Sequence, residues 1–283
     1  MIDTGSFETI GFERRDDHVA VITLNRPERL NAINRKMIAE VGKALDVVEA
    51  DANLRVVVVH GAGRAFCSGF DLKDDAAAQP SGVATWRRLL QQDFDFLIRF
   101  WDLSKPTIAA VHGYCLAGGC ELAMACDITI AAENAIFGEP ELRFGSVITA
   151  LMMPWLVGPK RTKELLLTGQ DRIPAAWAET IGLINRTVPD AKYLDEALAV
   201  AGQIARVDPD AVAMTKQSIN RTFETMGMRE ALRANLDIAV QIENLETPER
   251  KKFQEITRRE GLKAAIAWRD ARFARRPKAP PTE

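Results

Sequence analysis

Acidic residues occupy two positions from which a carboxylate could act as an acid or a base. Glu121 lies three residues after Gly118, in the first turn of a predicted short helix that otherwise consists of Leu, Ala and Met. If this side chain faces a cleft, desolvation raises its pKa towards a value useful for acid–base catalysis. If it is exposed, it is only an acidic residue favoured by the helix dipole. The residue alone leaves both interpretations open.

A second acidic position is found in residues 138–141 (GEPE). Pro140 suits the start of a helix, and either Glu139 or Glu141 could be the functional group by composition. Both could also be solvated charges at a helix start. Glu141 lies twenty residues after Glu121, with two predicted strands between them, so spacing gives no reason for the two to meet.

Two glycine-containing loops could supply backbone N–H donors. In residues 65–72 (AFCSGFDL), Gly69 relaxes the steric limits on the backbone and leaves the N–H of Phe70 free to point outward. In residues 116–120 (LAGGC), the glycines stand just before a helix, where unpaired N–H groups and the positive end of the helix dipole face the same space. Together the loops could form an oxyanion hole. Each alone could equally be a tight turn chosen for packing.

The elements that position these loops alternate along the chain. Apolar, β-branched runs predict strands at residues 18–24, 55–60, 107–112, 127–131 and 135–138. Predicted helices begin after Asn34, span residues 83–103 and span residues 120–125. Recurring strand, loop and helix indicate an α/β domain with its loops on one edge. We expect a core in residues 1–190 and a helical region in residues 191–283 that ends in a basic, Pro-rich tail.

Charge and composition narrow the function. The chain of 283 residues has 37 basic and 39 acidic side chains, and a net charge of −2 offers no global attraction for nucleic acid or membranes. No apolar run approaches the ~20 residues of a spanning helix, and the N-terminal pattern is not that of a secretory signal, so a cytoplasmic enzyme is expected. No metal site is expected from the cysteines, which lack ligand spacing and are predicted to be reduced, buried fillers: Cys67, Cys115, Cys120 and Cys126.

Five motifs in order resemble the crotonase, or enoyl-CoA hydratase/isomerase, superfamily. They are residues 25–33 (NRPERLNAI), 64–73 (RAFCSGFDLK), 104–113 (SKPTIAAVHG), 114–127 (YCLAGGCELAMACD) and 137–141 (FGEPE). They cover most of residues 20–190. The resemblance implies a spiral of ββα units followed by a helical region that forms homotrimers, often paired into hexamers.

The resemblance also assigns roles. It places the oxyanion donors on the backbone N–H groups of Phe70 and Gly118 and the two catalytic carboxylates on Glu121 and Glu141, and it sets Glu139 aside. Asp71 and Asp127 match as structural residues. It implies an acyl-CoA thioester as substrate and no separate cofactor, with CoA passing near Arg29, Asn31, Ala32 and Lys73. For the tail residues Arg275, Arg276 and Lys278, a solvated basic tail is favoured over contact with the CoA phosphates.

One segment departs from the family pattern. After Gly145 many members continue with a Pro- and Gly-rich stretch, whereas this chain has residues 146–154 (SVITALMMP). The bulkier Val147 and Ile148 are expected to narrow or redirect the acyl pocket. Leu151 and Met152 are more plausible as helix core. The acyl group is therefore left open.

These observations favour hydration of a trans-2-enoyl-CoA to a 3-hydroxyacyl-CoA. An enoyl-CoA isomerase or another acyl-CoA reaction of the superfamily is the nearest alternative, because a double-bond shift needs proton transfer but no water. An RNA-binding trimer is an alternative of another class. The balanced charge and the lack of a long Lys-rich helix weigh against it.

Overall fold

Short strands in this chain form two sheets. The computed structural model describes residues 7–72, 74, 82–245 and 247–273. Its strands are β1 (Ile10–Arg14), β2 (Val19–Leu24), β3 (Val56–Gly61), β4 (Ala65–Cys67), β5 (Thr107–Val111), β6 (Tyr114–Leu116), β7 (Ile128–Ala132), β8 (Ile136–Gly138), β9 (Ile173–Pro174) and β10 (Arg186–Val188).

The larger sheet has six strands in the order β1-β2-β3-β5-β7-β10. Only β1 pairs antiparallel, to β2, and the other pairs are parallel. Parallel strands covered on both faces read as continuous apolar runs, which is why β2, β3, β5 and β7 were predictable from the sequence. In β3, Val57 and Val59 face the main core, whereas Val56 and Val58 face the opposite layer.

The smaller sheet has the order β4-β6-β8-β9, in which β4, β6 and β8 are parallel and β9 is antiparallel to β8. Each of β4, β6 and β8 follows a strand of the larger sheet, β3, β5 or β7, after a few residues. The spiral of ββα units implied by the family resemblance is confirmed. The prediction that residues 65–72 are all loop is wrong, because β4 begins this segment, and the second predicted loop, residues 116–120, overlaps the end of β6 and the start of α3.

Helices complete the layers. Those described are α1 (Arg35–Ala50), α2 (Val83–Asp102), α3 (Gly118–Ala125), α4 (Met153–Leu167), α5 (Ala175–Thr180), α6 (Tyr193–Ala205), α7 (Pro209–Thr225), α8 (Met228–Asn244), α9 (Pro248–Glu260) and α10 (Leu262–Ala271). The predicted cap of α1 is confirmed, because the Asn34 side chain accepts a hydrogen bond from the Met37 N–H at 2.8 Å.

The C-terminal part of the chain is helical after β10, within the residues described. Its first helix, α6, covers the outer face of the larger sheet and shares a core with it through Ala197, Val200 and Ala201. The division of the chain at residue 190 therefore stays a prediction about domains. None of the described helices has the length and apolarity needed to cross a membrane.

Candidate active site

Glu121 is a buried carboxylate on α3, a helix whose residues are all buried. Its side chain accepts hydrogen bonds from the Thr149 N–H at 3.3 Å and from the Ala150 N–H. Burial raises the pKa of Glu121 to about 7, and the two N–H donors oppose that rise by stabilising the charged form. The group is therefore poised to exchange protons near neutral pH.

Glu141 begins a 3-10 helix, Glu141–Phe144, directly after Pro140. The side chain is buried, and its Oε2 atom has no hydrogen-bond partner among the described residues. Burial raises the pKa of Glu141 to about 8, with a further contribution from the charge of Glu121. Arg269 on α10 acts in the opposite direction. The two carboxylates that the sequence could not bring together are neighbours in the fold.

Glu139 joins them, although the family pattern sets it aside. Its side chain is only 1% exposed, and neither carboxylate oxygen has a hydrogen-bond partner in the described part of the chain. One oxygen from each of Glu121, Glu139 and Glu141 lies within 4.8 Å of the others. Burial, and next the charge of Glu141, raises the pKa of Glu139 well above its ordinary value. The site is therefore a cluster of three carboxyl groups.

The two glycine-containing loops lie against each other. A Cβ atom on Gly69, whose φ is +95°, would come within 2.5 Å of the Ala117 Cβ and 3.1 Å of the Gly118 nitrogen. A Cβ on Gly118 would come within 2.6 Å of the Phe70 ring. Only glycine allows this approach. Ala117 itself has φ 55° and ψ −134°, a strained conformation for a residue with a side chain.

The N–H groups of Phe70 and Gly118 are both available as donors. Ile33 donates to the Gly69 carbonyl at 2.8 Å and accepts from the Asp71 N–H at 2.9 Å, so the intervening Phe70 N–H faces away from Ile33. Gly118 is the first residue of α3, where an N–H has no partner within the helix. Neither N–H has an acceptor among the residues that the structure describes.

The Asn31 side chain stabilises the start of the first loop, residues 65–72, through hydrogen bonds to the backbone. Its fully buried side chain accepts from the Arg26 N–H and donates to the carbonyls of Ala62 and Ala65, with 2.8 Å for each donated bond. All its side-chain polar atoms are thus used within the protein. Arg26 also forms an ion pair with Asp71 at 2.9 Å.

Arg29 and Ala32, which are also predicted to bind CoA, lie near this loop. Arg29 is exposed in the 3-10 helix Pro27–Arg29, and Ala32 is half-buried. Lys73 and the tail residues 275–278 lie outside the described residues. CoA binding by Arg29, Asn31, Ala32 and Lys73 therefore stays a prediction. Asp127, expected to be structural, pairs with Lys216 at 2.7 Å and accepts a hydrogen bond from the Thr107 N–H at 2.7 Å.

Residues 146–152 form an irregular segment between Glu141 and α4. The Asn235 side chain holds it by donating to the carbonyls of Ile148 and Thr149 at 2.9 and 3.2 Å. Ile148 is buried and Val147 half-buried. The expectation that Leu151 and Met152 are core residues is confirmed, because Met152 is buried in the main core and Leu151 packs against it. The expectation that they lie inside a helix is wrong: α4 begins at Met153, because Pro154 lacks an N–H and suits the first turn.

This arrangement combines groups that exchange protons with donors that can stabilise an oxyanion. Three buried carboxyl groups can share protons, and burial favours their neutral forms. That the protein binds no metal remains a prediction from the sequence. Glu121 and Glu141 were predicted site residues. For Glu139 the sequence left open a choice between two acidic residues within residues 138–141, and its place in the site follows from its burial beside the other two.

Known proteins resemble this chain along most of its length. Residues 14–273 match the family described as Enoyl-CoA hydratase/isomerase. A probable enoyl-CoA hydratase of Rhizobium meliloti is 35% identical over 290 residues, covering 96% of this chain and all of the relative. A probable enoyl-CoA hydratase of Mycobacterium tuberculosis is 38% identical over 230 residues, covering 78% of this chain and 84% of the relative.

A solved structure supports the same assignment. The crystal structure of an enoyl-CoA hydratase/isomerase from Xanthobacter autotrophicus Py2 is 53% identical and superposes with a TM-score of 0.92, covering 95% of this chain and 99% of that one. Sequence and fold agree along nearly the whole chain. It therefore belongs to the enoyl-CoA hydratase/isomerase family of the crotonase superfamily.

Proposed function

We propose that the protein adds water to a trans-2-enoyl-CoA and forms a 3-hydroxyacyl-CoA. One observation carries the proposal: two buried carboxyl groups, with pKa raised to about 7 and about 8, adjoin in the same site. Hydration needs both a base for water and an acid for carbon. The names of the relatives support an acyl-CoA substrate.

The loops around Gly69 and Gly118 account for activation of the thioester. Its carbonyl oxygen accepts hydrogen bonds from the N–H groups of Phe70 and Gly118, which have no acceptor among the described residues. As the water oxygen bonds to C3, the electron pair of the double bond moves towards this carbonyl and makes an enolate-like oxyanion. Each preorganised donor contributes roughly 2.7–4 kcal/mol when it meets that charge.

The carboxyl groups move the protons. Glu121 has the lower of the two pKa values and receives two N–H donors, both of which favour its ionised form as the base. It accepts a proton from water as the C3–O bond forms. Glu141, with the higher pKa, is protonated and gives its proton to C2. Transfer of the proton from Glu121 to Glu141 restores both groups.

The remaining parts of the proposal concern binding. CoA passes Arg29, Ala32 and Lys73, with the buried Asn31 supporting the loop next to them. The acyl chain is bounded by Val147 and Ile148, of which Ile148 is buried and directly precedes Thr149, whose N–H donates to Glu121. No cofactor beyond the substrate is needed, since the reaction is proton transfer and addition of water. The protein assembles as a trimer or a pair of trimers in the cytoplasm.

Turnover of defined thioesters tests this function. A panel of trans-2-enoyl-CoA chain lengths is followed by the loss of absorbance of the conjugated thioester. Glu121→Gln and Glu141→Gln are each expected to lower kcat by about 10²–10⁴-fold. Glu164→Gln, which removes an exposed glutamate on α4, should leave kcat unchanged.

Three outcomes contradict the proposal. Near wild-type hydration by folded Glu141→Gln that still binds CoA esters would remove the acid from the mechanism. Consumption of a 3-enoyl-CoA without hydration of the 2-enoyl-CoA would instead identify an isomerase. RNA retained in a salt-dependent manner by a protein that turns over none of these thioesters would point to a binding function.

A further inference from the structure

Glu139 is a buried titratable group to which the proposed hydration gives no task. It lies between β8 and Glu141, and its two oxygens are without partners among the described residues. We infer that Glu139 is a protonated positioning residue, whose hydroxyl donates a hydrogen bond to Glu141 and stabilises the carboxylate left when Glu141 gives its proton to substrate. This inference rests on the proposed function and deepens it.

The backbone fixes Glu139 in place. The Glu139 N–H donates to the Gln170 carbonyl at 3.0 Å, and Pro140 restricts the backbone on the other side. At Gly138, a Cβ would come within 2.4 Å of the Asp171 Cα, so the chain before Glu139 is pressed against its neighbour. With 1% of its surface exposed, the side chain has no path to solvent and must satisfy its polar atoms inside the site.

Glu139 and Glu141 satisfy each other's missing hydrogen bonds. Glu141 has a buried Oε2 atom without a partner among the residues described, and Glu139 has two such oxygens. Two ionised carboxylates cannot bond to each other, because both are acceptors. One added proton turns an oxygen of Glu139 into a donor and pairs it with Glu141. Consistent with this bond, the Glu139 side chain lowers the pKa of Glu141 against the effect of burial.

Electrostatics identifies Glu139 as the carboxyl group that keeps its proton. Three ionised carboxylates within 4.8 Å would repel each other strongly in a buried site. Glu121 receives two N–H donors and Glu141 faces Arg269, whereas Glu139 has neither kind of support in the described chain. The groups that face the cluster are Cys120 and Glu121 on α3, Cys115 on β6, Asp93 on α2, Glu141 and Arg269.

The test compares two substitutions of similar size. Glu139→Gln keeps a neutral donor, whereas Glu139→Met keeps the volume and removes it. In Glu139→Met the pKa of Glu141 should rise, so the alkaline limb of the pH profile of kcat/KM moves up by about one pH unit and kcat falls about tenfold at neutral pH. Glu139→Gln is expected to restore the limb and most of the activity that Glu139→Met loses.

Other outcomes overturn the inference. If both variants move the limb to lower pH, Glu139 is ionised in the wild type, because removal of a negative neighbour lowers the pKa of Glu141. If neither variant moves the limb, Glu139 is not coupled to Glu141. Loss of activity with a chelator and its recovery with Mg²⁺ would show that a cation, not a proton, joins the carboxylates.

A measurement without substrate separates this inference from the proposed function. The titration of Glu141 can be followed by ¹³C NMR of labelled glutamate carboxyl groups, with Glu141→Gln used for assignment. An upward shift of that titration in Glu139→Met, reversed in Glu139→Gln, supports the inference even if the wild type hydrates no enoyl-CoA. An unchanged titration refutes it even if hydration is confirmed.

Discussion

The raised pKa values of Glu121 and Glu141 affect the stability of the protein as well as its activity. Their pKa values in the folded protein are about 7 and about 8, compared with an ordinary 4.5, and burial is the main cause for both. Below about pH 4.5 both groups are protonated in folded and unfolded chains alike. Between pH 4.5 and 8 the unfolded chain ionises first, so the free energy of unfolding falls as pH rises through this window.

Glu141→Gln should therefore stabilise the protein at alkaline pH. Gln mimics the protonated side chain, so the variant no longer loses free energy of unfolding as pH rises. We expect its Tm to match the wild type near pH 5 and to exceed it by several degrees near pH 9. Thermal unfolding at fixed protein concentration measures this, with the exposed Glu164→Gln as control. A Tm difference that does not grow with pH would contradict the raised pKa.

The sequence predicted these residues only in part. Glu121 was suspicious because it stands among Leu, Ala and Met, and the family pattern selected Glu141. Their proximity depends on β7 and β8 bringing the chain back to α3, which pairwise spacing does not reveal. Glu139 needed the structure, because a glutamate beside a proline in a turn is ordinarily solvated. Its burial and unpartnered oxygens are tertiary properties.

At the scale of elements, the two loops form one unit. The Phe70 ring fills the space beside Gly118. A methyl group at position 118 must therefore displace this ring and, with it, the backbone N–H of Phe70. Gly118→Ala is expected to lower kcat by roughly 10²–10³-fold, the effect of losing one oxyanion donor. Steady-state kinetics with a 2-enoyl-CoA measures it.

Gly42→Ala on α1 is the matched control for that substitution. A Cβ on Gly42 meets nothing within 4 Å. Alanine in a helix interior is more stable than glycine by roughly 0.5–1 kcal/mol, so this variant should be slightly stabilised and fully active. Equal kinetics for Gly118→Ala and Gly42→Ala would show that the contact between the loops does not govern the reaction.

Helix α10 contributes a charge to the site. Its buried Arg269 lowers the pKa of Glu141 by favouring the carboxylate. Arg269→Met is expected to move the alkaline limb of the kcat/KM profile upward by about one pH unit or less. Arg272→Met removes a more exposed arginine three residues further along and should leave the limb in place. A shift of the same size in both variants would mean that the overall charge of α10 matters and not contact with Glu141.

Elements differed in how well the sequence predicted them. The strands β2, β3, β5 and β7 are long apolar runs buried on both faces, and each was found within one residue at either end. The strands β4 and β6 have three residues each and adjoin glycines, so no periodicity marks them. The same glycines identified the loops of the site. The glycines therefore predicted the position of the site, but the same residues made β4 and β6 read as loops.

At the scale of the whole molecule, the sheets and α6 enclose the described core, while later helices leave large apolar side chains exposed. Ile219 on α7 and Met226, the residue that caps its C-terminal end, are 54% and 64% exposed, and a spacing of seven residues places both on one side of the helix. Exposed apolar side chains of this size are typical of surfaces that meet another protein. They support the proposed assembly through the C-terminal helices.

The assembly predicts a specific mass and a specific way to disrupt it. Three chains of 31.3 kDa give a particle of about 94 kDa, or twice that for paired trimers. Light scattering after size exclusion should find one of these masses for the wild type.

The double variant Ile219→Glu, Met226→Glu should shift the particle towards single chains, since it places charges in the contact. Gln217→Glu adds a charge on the opposite side of α7 and should leave the mass unchanged. A wild-type particle of one chain contradicts the proposed assembly, whereas an intact trimer in the double variant would place the contact on another surface.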